Sequence, residues 1–252
     1  GTLFGRNTAA GALNNRTKDP SLDGNSGRIT AGAGSFDAYN GSAVFNGVLS
    51  DTVAIRLAGQ YSERGGYGTN LLNGEEFGAR DDLNLRGKVL FNVSDQLSVK
   101  VAADYSEISF GGQTVELLPA QLFPRKQTYE NTTFSQEIQL LSPTGREFEY
   151  VVGAFYYDET YDIAEDFDLG AQFCIPVVAG LAGLGAGQAC AAGQQMDASE
   201  GDFSQDLQSF AVFGQGTWRP NEEWAFTAGL RYSDEKKDGT FSNVVNNPFV
   251  IA

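Results

Sequence analysis

The chain has 252 residues and no histidine. Ser–His and Cys–His nucleophile pairs are therefore excluded, as is any imidazole metal site. Cysteine is almost as scarce: Cys174 and Cys190 stand sixteen positions apart, with no CxxC and no metal-ligand spacing. In an oxidising compartment the two would close a short loop as a disulfide; otherwise they are two buried thiols. Basic residues are few, 17 against 32 acidic for a net charge of -15, which argues against nucleic acid as a partner. One long stretch lacks charge altogether, between Asp168 and Asp197. By length it would qualify as a membrane helix, and Gly183 and Gly187 form a GxxxG. However, much of it is Ala and Gly, it holds Pro176, and it is broken by glycines at 180, 183, 185 and 187. It reads better as an external loop pinned by Cys174 and Cys190.

What the chain does have is alternation. Long amphipathic helices are hard to find, and the dominant period is two, the signature of strands with two unlike faces. In TVAIRLAGQY, Val53, Ile55, Leu57 and Tyr61 alternate with Thr52, Ala54, Arg56 and Gln60. In LNLRGKVLFNV, Leu83, Leu85, Val89, Phe91 and Val93 oppose Asn84, Arg86, Lys88 and Asn92. LSVKVAADY and EWAFTAGLRYSDE repeat the pattern, with Lys100 and Arg231 on their polar sides. These segments run about 10 to 14 residues, longer than the usual soluble strand of about 5 or 6. Tyr61, Tyr105, Trp218, Trp224 and Tyr232 mark their ends. A transmembrane strand needs about 9–11 residues with aromatic girdles at both interfaces. The apolar face would then meet lipid and the charged face a wet lumen.

Connection lengths point the same way. Short turns fall at 49–52, 93–96, 142–145 and 219–223, and long loops at about 65–80, 110–130 and 162–205. Short turns on one side and long loops on the other are the habit of bacterial outer-membrane barrels. The expected strands are nine: 26–36, 38–49, 52–63, 81–93, 97–109, 131–142, 147–161, 206–218 and 223–236. An odd number conflicts with the even count of single-chain bacterial barrels, so the chain reads as a middle section.

Residues 147–218 hold twelve acidic side chains and no Lys or Arg. Six crowd together: Asp158, Glu159, Asp162, Glu165, Asp166 and Asp168. Clustered carboxylates suit a hard cation such as calcium, yet the spacing matches no EF-hand or calcium repeat. The expectation is a solvated, extracellular acidic loop. Asn131-Thr132-Thr133 matches a glycosylation acceptor, a pattern discounted for a bacterial envelope protein.

The opening run, Gly1-Thr2-Leu3-Phe4-Gly5-Arg6-Asn7 followed by small residues, Gly11 and Asn14, resembles the end of the plug domain of TonB-dependent outer-membrane receptors. Thr17 to Pro20, TKDP, is similar to that family's exit from plug to barrel. AIRLAGQYSERGGYGTN (54–70), FSQEIQLLSP (134–143) and the hairpin at 210–238 ending in Gly-Leu-Arg-Tyr resemble its barrel strands in the same order. Asn14-Asn15-Arg16 departs from the usual apolar last plug strand, and those residues are expected to be poorly anchored.

The resemblance implies an all-β, antiparallel up-and-down transmembrane barrel, partial here at about nine strands of 22. Residues 1–24 would be the end of the plug and its linker, and residues 25–252 the first part of the barrel. It also implies active uptake of a scarce nutrient, a ferric siderophore first among the cargoes. Energy would come from the inner-membrane proton gradient through a TonB-type complex. No catalytic residue, metal site or cofactor is expected, and lipid and lipopolysaccharide would surround the wall. Two other readings stay open: a passive porin or structural barrel, and a soluble β-rich binding protein or adhesin whose apolar faces pair into a dry core. An outer-membrane enzyme is disfavoured by the missing histidine.

Overall fold

Alternation is realised as strands almost wherever the sequence shows it. A computed structural model describes residues 17–69, 76–112, 125–169 and 196–245. Its strands are β1 (Ser26–Gly34), β2 (Ala38–Ser50), β3 (Val53–Arg64), β4 (Gly68–Thr69), β5 (Glu76–Phe77), β6 (Arg80–Ser94), β7 (Leu97–Gly111), β8 (Arg125–Leu141), β9 (Phe148–Leu169), β10 (Met196–Trp218) and β11 (Phe226–Val245). Nine of them form one antiparallel meander in the order β1-β2-β3-β6-β7-β8-β9-β10-β11. β4 and β5 make a separate two-stranded hairpin within the 65–79 connection, which the periodicity did not reveal. Residues 1–16, which include the Gly1–Asn7 run that resembles a plug end, and both cysteines lie outside the described residues.

Several boundaries differ from expectation. β8 already begins at Arg125, six residues before the expected 131 and inside the expected 110–130 loop. β9 runs 22 residues and β10 runs 23, so the segment expected as an acidic loop from 162 is strand as far as Leu169. Asp158, Glu159, Asp162, Glu165, Asp166 and Asp168 therefore sit on a strand, not in a loop. β11 continues to Val245, through KKDGTFSNVV, where a loop was expected. β1 and β2 are joined by a tight connection at 35–37, with Phe36 and Asp37 at φ of 63° and 50°.

Cross-strand partners share a face of the sheet, so the register assigns every side chain to one side. One row reads Asn46, Arg56, Lys88, Ala102, Glu137, Phe155 and Ala211 across seven strands. The opposite face carries Val53, Ile55 and Leu57 on β3, Leu85, Val89 and Phe91 on β6, Ile138 and Leu140 on β8, and Phe210 and Val212 on β10. Many of these large apolar side chains are exposed, and among the described residues no large side chain is fully buried. A soluble sandwich cannot leave such a face in water, because its stability comes from covering it. Lipid satisfies the same face without a second sheet.

Candidate functional site

The outward face is zoned. Tyr61, Tyr105 and Tyr156 all point outward, and each phenol donates to the carboxylate two residues further on: Glu63 at 3.0 Å, Glu107 at 2.9 Å and Asp158 at 3.0 Å. Towards the short turns the outward positions are apolar, with Gln136 the exception on β8. They end in a second aromatic line of Phe148, Tyr150, Trp218 and Phe226, with Trp224 stacked on Phe226 at 6.0 Å. The eight-residue step from Phe148 to Tyr156, at about 3.3 Å per residue and a tilt of about 40°, spans roughly 20 Å of membrane normal. That approaches the about 25 Å apolar band of outer-membrane barrels. Past the tyrosines the outward side turns acidic: Asp81, Glu130, Asp162, Asp166, Asp202 and Asp206.

The inward face near the short turns receives the incoming chain. Asn46, only 2% exposed, accepts from the Ser21 amide at 2.9 Å and donates to the carbonyls of Ser21 and Gly24, both at 2.8 Å. Asn25 Oδ1 accepts from the Val48 amide at 2.7 Å. Asp19 then bridges two strands: its carboxylate oxygens meet Lys88 Nζ at 2.8 Å and Lys100 Nζ at 3.2 Å. Lys88, 9% exposed, also donates to the Thr17 carbonyl at 3.2 Å. Pro20 is buried beside this staple. Beside the linker opens a cleft of about 800 Å³, lined in part by Lys18, Arg56, Gln60, Arg86, Lys88 and Asp104. Arg86 is paired with Asp104.

Burial alone would raise the Asp19 pKa, but the hydrogen bonds and charges of Lys88 and Lys100 outweigh it and hold the carboxyl below its ordinary value. A lowered pKa in the folded state means that the staple's contribution is fully present above about pH 4. It is lost as the pH falls through the lowered value. Protection of residues 17–25 from proteolysis is accordingly expected to be flat from pH 8 to 5 and to decline below about pH 4. A decline already complete at pH 6 would show that another group controls the linker.

The expected site residues fare differently. The six carboxylates are separated by the strand pleat: Asp158, Asp162 and Asp166 face outward, Glu159 and Glu165 inward. Among the described residues no group of three His, Cys, Asp or Glu side chains is placed to hold a metal ion. The Asp19 staple was missed as a site. Its traces were the TKDP segment and two lysines at the polar positions of adjacent strands. On the lumen side of β9–β11, Arg231 lies between the rings of Phe155 and Phe213, at 5.9 and 5.7 Å.

A nine-stranded meander with a lipid-type outer face, two aromatic girdles and an inward face gripping an entering segment is a section of outer-membrane β-barrel wall. The family model described as TonB dependent receptor-like, beta-barrel, matches residues 14–250. The chain belongs to that family, and its place is the bacterial outer membrane. Solved structures similar to it include the ferric yersiniabactin uptake receptor FyuA from Yersinia pestis (12% identity, 92% of this chain and 42% of that one, TM-score 0.48). Others are the alcaligin outer-membrane receptor FauA from Bordetella pertussis (14%, 90% and 39%, 0.43) and the siderophore receptor PiuA from Acinetobacter baumannii (10%, 89% and 48%, 0.35). The chain spans less than half the length of each.

Proposed function

We propose that this chain is barrel wall and plug linker of an active-uptake receptor, energised by the proton gradient through a TonB-type complex. A ferric chelate is the leading cargo. Residues 1–24 are assigned to the plug end and linker, with Gly1 to Asn7 and Gly11 as its closing run, and residues 25–252 to the barrel. The observation that carries the reading is the family match over 14–250. The linker clamped on the lumen face by Asn46 and Asp19 supports it, because a passive pore has no need to anchor an entering segment there. No covalent step is required, so the protein is read as a transporter without catalytic residues. Lipid and lipopolysaccharide would lie against the outward face.

Cells carrying the receptor as their sole route for the nutrient should lose uptake when the proton gradient is collapsed, or when the energising protein is deleted, while surface binding persists. Uptake that continues unchanged without the gradient would identify a passive barrel instead.

A further inference from the structure

Past the tyrosine girdle the outward side turns acidic, while on the inward side aromatic rings continue. One inward row reads Phe110, Tyr129, Ile163 and Phe203 across four strands, with Tyr161 one step below. Phe110 and Tyr129 stack at 4.4 Å with their planes 8° apart, and Tyr161 meets Phe203 edge-on at 6.4 Å. Glu159 stands next to Tyr161 on the same face and accepts one hydrogen bond, from Asn131 Nδ2 at 2.8 Å. That leaves most of a carboxylate's acceptor capacity unspent. Glu165 lies one step above the row on the same strand. Of the cations around this row, Arg80, opposite Phe110, is bound by Asp82 at 2.7 Å, Arg125 takes the register position opposite Phe167 at the outer end of β8, and Lys237 stands on the far strand β11. β9 and β10 themselves carry no cation.

We propose that this inward surface of β7–β10, outside the membrane band, binds an organic cation: a protonated amine or quaternary ammonium group carried by the transported molecule. Aromatic faces attract cations through their quadrupoles, and adjacent carboxylates add a second attraction. Height selects the occupant. The linker is held nearer the short-turn end, eight to ten residues further along the strands at Lys88 and Lys100, whereas this surface sits where a molecule arriving from outside first meets the wall. The proposal rests on the uptake reading and names the class of cargo.

The test uses the intact receptor, purified with its plug, and three probes of similar size: benzyltrimethylammonium, benzyl alcohol and benzenesulfonate. The cation should bind saturably and at least about tenfold more tightly than the sulfonate. Tyr161→Leu and Phe203→Leu should each weaken it by about 3- to 30-fold, Glu159→Gln should weaken it too, and Tyr161→Phe should retain it. A folded-barrel mobility shift on an unboiled gel qualifies each variant. Equal or tighter binding of the sulfonate would overturn the proposal. So would leucine variants that bind normally, or a receptor that binds none of the three because the plug covers the face. Binding here needs no proton gradient, so the site and the energised-uptake reading fail separately.

Discussion

Replacing Asn46 by Leu is expected to free the linker while leaving the barrel wall intact. Leucine keeps the branching in a somewhat bulkier side chain but abolishes one acceptor and two donor contacts to residues 21 and 24. Each hydrogen bond contributes about 1 kcal/mol net, and each partly buried group left without a partner costs about 1–3 kcal/mol. Water will recover some of this, since Ser21 is only half-buried. A local loss of about 3 kcal/mol corresponds to roughly a hundredfold rise in the linker's opening equilibrium. Amide exchange at residues 17–25 should accelerate by about that factor, with β3 and β6 unchanged. Asn46→Asp, which keeps the acceptor and loses both donors, should fall between. Unaltered linker exchange in Asn46→Leu would mean that Asp19 and the buried Pro20 hold the segment without Asn46. Under the proposed function this matters because residues 17–25 are where tension on the plug meets the barrel wall.

The strands of the membrane band were legible from the sequence because the lipid imposes a strict rule there. Outward positions such as Val53, Ile55 and Leu57 must be apolar, and period two follows at once. The same rule lapses beyond the girdle. In DETYDIAEDFD the period of two persists, but its sense is reversed: Tyr161, Ile163 and Phe167 lie on the lumen side, and Asp158, Asp162 and Asp166 lie outside. A reading that weighs carboxylates by number sees a solvated loop. A reading that asks only whether residues alternate would have found β9. The tight 35–37 connection was hidden for a different reason: Phe36 and Asp37 supply left-handed conformations usually signalled by glycine or asparagine. The Asp19 staple joins residues 69 and 81 positions apart, and pairing of that range is set by the register of the sheet, not by any local motif.

The lipid-facing assignment carries its own sharp consequence. Val152 lies midway between Phe148 and Tyr156 on the outward side of β9, and Gln215 stands at nearly the same height on the inward side of β10, cross-strand from Val151. An arginine at the outward site must either sit in hydrocarbon or stretch about half the band to reach water. An arginine at the inward site enters a face that already carries Arg56, Lys88 and Arg231. Charges on the lipid face at mid-depth destabilise outer-membrane barrels by about 2–4 kcal/mol, and lumen-facing changes are milder. Val152→Arg should therefore lower the unfolding free energy in lipid vesicles by about 2–4 kcal/mol, and Gln215→Arg by less than about 1 kcal/mol. In a soluble protein the ranking would invert. The exposed β9 site would tolerate arginine, and the inward one, near buried Ala211 and Phe213, would not. The two substitutions thus decide between lipid and water on the outward face by the sign of their difference, whatever the overall stability of the barrel.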